Sequence, residues 1–208
     1  SLILACSVEQ SKAAEIQVEY SDLGTYLYPS MVVHVSGEIV TGDADRISTE
    51  ITKNSAPKQR GIFFSFDSPG GNLLEGVKIG RLIASRPELT TSLVGNTENP
   101  DAICASACVF AFLGAETREK HPDARIGLHQ FYLGNNMMDG DEALGVGQLL
   151  SAIVTSYLAE RKASAEIFSR MVLTEPGDID WVSDPDLAEL RIVGGNIIHA
   201  SSEFINTG

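Results

Sequence analysis

Three short segments of the chain together hold the groups needed for acyl transfer through a serine. Cys104-Ala-Ser-Ala-Cys108 sets Ser106 among small residues, so that a substrate carbonyl can come close to its hydroxyl. His129, 23 residues further on in Gly127-Leu-His-Gln130, can take the serine proton. Asp67-Ser-Pro-Gly-Gly71 ends in two glycines, where backbone N–H groups and a substrate can approach closely. Serine attacks poorly at neutral pH, so a base and oxyanion donors must both be supplied. Taken singly, each segment is ordinary. Serine favours helix caps, and Pro-Gly-Gly marks a turn.

The elements that must position these groups follow an alternation of β and helical patterns, which predicts an α/β layered fold. Met31 to Val35 reads as a strand and Asp43 to Asn54 as a helix capped by Asp43. Gly61 to Phe66 is an almost unbroken apolar strand, as expected where both faces are covered. Asn72 to Ser85 carries Leu73, Leu74, Val77, Ile79, Leu82 and Ile83 at mostly helical spacing. Leu89 to Gly95 returns as a strand, and Asn96 to Ala102 is a polar loop. Ser106 to Ala115 is small and apolar on nearly all sides, which predicts a buried helix with Ser106 at its start and the Ala107 N–H free to donate. Arg125 to Phe131 is a predicted strand carrying His129, followed by a connection that includes Met137 and Met138. Asp141 to Val172 holds the longest helical pattern, with Leu149, Leu150, Ile153, Tyr157 and Leu158 on one stripe and a break near Lys162 to Ser164. An extended segment, Asp178 to Ser183, and a short helix, Asp184 to Leu190, close the pattern.

Composition excludes several classes of partner. Lys and Arg number 15 against 28 Asp and Glu, a formal charge of −13 that repels nucleic acid and anionic lipid surfaces. No dense His/Cys/Asp spacing suggests a metal, and no cofactor is implied. His34, His121 and His199 read as structural or solvated residues. No run of 18 apolar residues is present. Leu2-Ile-Leu-Ala-Cys6 is similar to the end of a bacterial lipobox, so Cys6 is a candidate for lipid attachment and membrane association; the alternative is a short apolar strand or leader. With Cys6 set aside, Cys104 and Cys108 remain as a candidate disulfide suited to a periplasmic or otherwise exported protein, or as packed or reactive thiols.

The order of strand, Ser-Pro-Gly-Gly, helix, then Ala-Ser-Ala before a small-residue helix, then Arg-Ile-Gly-Leu-His-Gln, resembles the Clp protease proteolytic subunit and the signal peptide peptidase A group. It is most similar to the bacterial periplasmic or membrane-associated branch in which cysteines flank the serine. The resemblance spans residues 31–194 as a ClpP/crotonase-like domain built of repeated ββα units, leaving 1–30 as leader and first strand and 195–208 as a tail. It implies Ser106 as nucleophile, His129 as base, and the N–H groups of Gly71 and Ala107 as oxyanion hole. It also implies an extended peptide or protein substrate lying along Gly70, Asn72, Leu73, Gln130 and Phe131 (more widely residues 70–73 and 131–134), and a homo-oligomer. The third triad member falls within Asp178-Ile-Asp180, where an ungapped match lands on Ile179. Asp178 is preferred, because it follows the Pro-Gly turn and alternation would turn Asp180 toward solvent. Two other functions fit the same fold: a thioesterase or other acyl hydrolase, and a non-catalytic peptide-binding scaffold.

Overall fold

Runs of β-branched and aromatic residues form the strands, and runs with helical apolar spacing form the helices packed on them. In the computed structural model, which describes residues 13–21, 30–56, 59, 61–131, 140–175 and 177–194, the chain runs through fourteen described elements. They are β1 (Glu15–Ser21), β2 (Ser30–Ser36), α1 (Asp43–Lys53), β3 (Gly61–Asp67), α2 (Leu73–Ala84), β4 (Leu89–Val94) and β5 (Ile103–Ala105). There follow α3 (Ala107–Phe112), β6 (Thr117–Lys120), β7 (Arg125–Leu128), α4 (Gly140–Glu160), α5 (Glu166–Leu173), β8 (Asp180–Trp181) and α6 (Asp184–Glu189).

Five strands make one sheet in the order β1-β2-β3-β4-β6, with β1 antiparallel to β2 and the remaining pairs parallel. Parallel pairing demands crossovers: α1 joins β2 to β3, α2 joins β3 to β4, and β5 with α3 joins β4 to β6. A smaller sheet, β5-β7-β8, holds the candidate serine and histidine at one end. The two sheets join where Ser68, directly after β3, bridges Cys104 of β5. Met31, Val33 and Val35 of β2 and Ile62, Phe64 and Phe66 of β3 point into a core shared with Val77, Ile79 and Ile83 of α2 and all of α3. This is the mixed α/β fold expected from the alternation.

Helices α2 and α3 meet backbone to backbone. A methyl group added at Gly76 would strike the Ala107 carbonyl, one at Gly80 would strike Phe110 O and the Tyr157 hydroxyl, and one at Gly114 would strike Gly80 itself. Tyr157, fully buried, donates its hydroxyl to Phe110 O at 2.8 Å. Its burial pushes the phenol pKa well up.

Several boundaries differ from the sequence expectation. Asp43 opens α1 but does not cap it, since Gly42 takes that place at φ 101°. The buried Asp43 carboxylate instead accepts from Val40 N–H (2.8 Å) and Arg46 (2.6 Å), while Glu75 of α2 accepts from Ala44 N–H at 2.8 Å. Leu149 is 61% exposed, so the buried stripe of α4 is Leu150, Val154, Tyr157 and Leu158. Helix α3 stops at Phe112 and strand β7 at Leu128, three residues short of Phe131, leaving His129 just beyond the strand. Strand β6, Thr-Arg-Glu-Lys, carries no apolar alternation, and only its pairing with β4 makes it a strand.

Candidate active site

Ser106 occupies the sharp turn between β5 and α3. Its backbone sits at φ 54° and ψ −122°, a region that costs a non-glycine residue about 1–3 kcal/mol and persists only where the surroundings impose it. They do so here from several sides. Ser106 N–H donates to Gly127 O at 3.0 Å, Val109 N–H donates to Ser106 O at 3.0 Å, and Cys104 and Cys108 are joined by a disulfide whose Cα atoms lie 5.3 Å apart. Of the alternatives open for those cysteines, the bridge is the one found. The Ser106 side chain is half-buried, and no hydrogen bond to its hydroxyl appears among the described residues.

The glycine turn is pressed against this serine. Gly70 has φ 100°, and a Cβ there would lie 2.5 Å from Ala105 O, 2.7 Å from Ser106 Cβ and 2.9 Å from Ala107 N. No other residue fits. Gly71, at φ 134°, is bridged in parallel fashion to Ile39: Ile39 N–H donates to Gly70 O (2.7 Å) and Asn72 N–H donates to Ile39 O (2.8 Å). In such a bridge the central residue's own N–H points away from its partner, so Gly71 N–H faces away from Ile39. Neither that group nor Ala107 N–H, in the open first turn of α3, has an acceptor among the described residues.

The turn itself is braced from beneath. The buried Ser68 donates its hydroxyl to Gly37 O (2.6 Å) and accepts from Gly70 N–H (3.1 Å). Asp67 accepts from Ile103 N–H at 3.1 Å and from Asn99 at 2.9 Å, so it ties the polar loop to the end of β3 in addition to opening a turn.

His129 reaches the same end of the small sheet through the parallel register of β5 and β7, in which Ala105 pairs with Gly127. Its Nδ1 lies 2.8 Å from the carbonyl oxygen of Gln130. A carbonyl can only accept, so the ring proton on that side belongs to Nδ1, and in the neutral ring Nε2 carries the free lone pair. That is the tautomer a general base requires.

The two aspartates differ sharply. Asp180 is half-buried and gripped by Arg170 through two hydrogen bonds, 2.7 and 2.9 Å, rather than facing solvent. Arg170 also donates to Asp186 at 2.9 Å; its hydrogen bonds to these carboxylates, Asp180 first, push the guanidinium pKa up and keep it charged. Asp178 is exposed, with its N–H donated to Glu175 O at 3.0 Å. Among the described residues, neither aspartate hydrogen-bonds to His129. Continuing the antiparallel register of β7 and β8 puts Ile179 abreast of His129 and Asp178 abreast of Gln130. Gly127 permits this close approach, because a Cβ there would lie 2.5 Å from Ile179 and 2.8 Å from Trp181. Trp181 is packed in this way and covered by the Arg125 guanidinium at 4.3 Å.

Of the residues expected along a substrate, Asn72 caps α2 by accepting from Glu75 N–H at 3.0 Å, and Leu73 and Phe131 are half-buried against the core. Gln130 is held internally, its N–H on Thr174 O (2.9 Å) and its side chain on Val172 O (3.2 Å). His34 pairs with Glu19 across β1 and β2 at 3.1 Å, and His121 lies 3.3 Å from Asp123 N. Cys6, Met137, Met138, His199 and residues 132–134 lie outside the described residues. Glu75 and Arg170 were missed by sequence reasoning, since each acts through a partner on another element and no local pattern marks it.

No protein-family model matches the sequence. No curated protein matches it either. Solved structures do. A mutant of ClpP1 from Listeria monocytogenes aligns over 84% of this chain and 94% of its own, at 19% identity and a TM-score of 0.61. A mutant of the 1510-N membrane-bound stomatin-specific protease aligns over 78% of this chain and 76% of its own, at 17% identity and a TM-score of 0.58. A second mutant of that protease, in complex with a substrate peptide, covers 78% and 72% at 18% identity and a TM-score of 0.60. At these identities the likeness is one of fold, and the fold is that of the ClpP-like peptidases.

Proposed function

We propose that the chain is a serine peptidase that cleaves peptide or protein substrates through an acyl-enzyme. The observation that carries the reading is the Ser106 turn, a non-glycine residue held at φ 54° against Gly70, with two unclaimed backbone N–H groups, Gly71 and Ala107, on the segments that meet there. In this reading Ser106 Oγ attacks the scissile carbonyl and passes its proton to Nε2 of His129. The oxyanion is held by the two N–H groups, and the imidazolium returns its proton to the leaving amine. Water then repeats the sequence to release the acyl group. The Gln130 carbonyl fixes the resting tautomer, and Asp178 is the carboxylate that steadies the charged ring once it forms, because Arg170 already occupies Asp180.

A peptide would lie along residues 70–73, in contact with Gly70, Asn72 and Leu73 and bordered by Gln130 and Phe131. The main-chain groups of Gly70 and Asn72 are already bonded to Ile39, so Gly71 supplies the free donor. Export to an oxidising compartment agrees with a disulfide beside the nucleophile. Lipid attachment at Cys6 belongs to the same proposal, and self-association through α4 agrees with Leu144 and Leu149, each more than 60% exposed.

A fluorophosphonate probe tests the reading. The wild type is labelled covalently between pH 6 and 9, Ser106→Ala abolishes labelling, and His129→Ala slows it about 10²- to 10⁴-fold. A folded wild-type protein that takes up no probe across that range refutes it.

A further inference from the structure

We infer that the Cys104–Cys108 disulfide is a positioning element of the nucleophile, holding the turn of residues 105–107 so that Ser106 Oγ and the Ala107 N–H address one carbonyl together. The inference rests on the peptidase reading. The bridge starts on β5, ends in the first turn of α3, and encloses only Ala105, Ser106 and Ala107.

Such a bridge is poorly placed for global stability. The chain freedom removed by a cross-link grows with the logarithm of the loop it closes, and a separation of four residues lies near the bottom of that scale. The elements it joins are also secured without it. Cys104 pairs with Ile126 of β7 and with Ser68, and α3 rests on the glycine face of α2. What lies between them is the one segment with a reason to move. Ser106 sits at φ 54° and ψ −122°, and relaxing toward an ordinary region would swing the peptide that carries the Ala107 N–H. With both ends of the turn pinned through sulfur, that rotation is blocked.

Both cysteines are fully buried, so solution reductants reach the bridge only after local opening. The disulfide is therefore a standing brace, formed once during folding when two thiols lose two electrons and two protons to a thiol–disulfide oxidant. It is not a switch thrown in the folded protein.

The test separates turnover of the bound probe from its binding. Fluorophosphonate labelling is measured as a maximal rate and a half-saturating concentration for wild type, for C104A/C108A, and for Tyr157→Phe as a variant destabilised away from the site. A positioning role predicts a maximal rate about 10- to 100-fold lower in C104A/C108A, with half-saturation within about twofold and the pH midpoint of labelling within about 0.3 pH unit of wild type. Tyr157→Phe keeps the wild-type rate. If C104A/C108A fails to fold, wild type unfolded with a dithiol and refolded with or without disulfide oxidant gives the same comparison, and only the oxidised sample recovers the rate. Labelling of a folded, bridge-free protein at the wild-type rate overturns the inference. An oxidised wild type that never labels overturns the peptidase reading, and the positioning role with it.

Discussion

Replacing Gly76 by Ala tests whether the contact between α2 and α3 sets the position of the serine turn. Gly76 lies within α2, and alanine is favoured over glycine in a helix interior by about 1 kcal/mol. Propensity alone therefore predicts a more stable protein. The new methyl group, however, would collide with the Ala107 carbonyl oxygen and lie 2.9 Å from its carbon and 3.2 Å from its Cβ. The atoms struck belong to backbone, which cannot swing aside as a side chain can. Overpacking of this kind costs about 1–3 kcal/mol, and a backbone target puts the cost at the upper end, for a net loss of about 2 kcal/mol. In a chain of this size that lowers Tm by about 4–8 °C. Gly147→Ala is the matched control, since nothing lies within 4 Å of its added methyl, and it should gain about 0.5–1 kcal/mol. Thermal and urea unfolding measure both variants, and the probe reports the serine turn. Because Ala107 carries a candidate oxyanion donor, Gly76→Ala should also label more slowly. A Gly76→Ala protein as stable and as reactive as wild type would refute the packing argument.

Tyr157→Phe should lose about 1 kcal/mol at neutral pH from the missing bond to Phe110 O. Burial raises the Tyr157 pKa above its ordinary value of 10.0, so this group's contribution is complete below about pH 10 and declines as pH rises toward the folded value. Urea midpoints taken from pH 8 to 11 should therefore fall more steeply in wild type than in Tyr157→Phe, and parallel curves would contradict the burial. Asp180→Asn, which strips Arg170 of a two-bond partner, should cost about 1–3 kcal/mol of stability. Asp178→Asn should leave stability within about 0.5 kcal/mol and slow labelling. Wild-type labelling by Asp178→Asn would leave a mechanism of Ser106 and His129 alone.

The parts of this architecture encoded locally were legible. The helix expected over Asn72 to Ser85 is α2, with those two residues as its caps, because apolar spacing is a property of neighbouring residues. The Pro-Gly-Gly turn announced a backbone that must come close to something, and that partner proved to be Ser106. The contacts that escaped are those made at a distance. The N–H of Ala44 is satisfied by a glutamate 31 residues away, and Asp180 was expected at the surface because nothing nearby in sequence identifies Arg170 as its partner. Leu149 fits the apolar period of α4 and yet faces outward, since periodicity reports an apolar stripe and not what covers it. The hydrogen bond from His129 to the Gln130 carbonyl was equally hidden, because it depends on β7 ending at Leu128 and not at Phe131.

Where Gly80 of α2 meets Gly114, just beyond the end of α3, no side chain separates the two backbones. Backbone in direct contact leaves no side chain between the two to give way, so α2 is a close stop behind the segment that follows Ser106. His129 is held differently, just beyond the end of β7 and abreast of Ile179, by strand register and by its own hydrogen bond to the Gln130 carbonyl. The asymmetry is one of support: the candidate serine stands against packed backbone, while the candidate histidine hangs from the end of a strand.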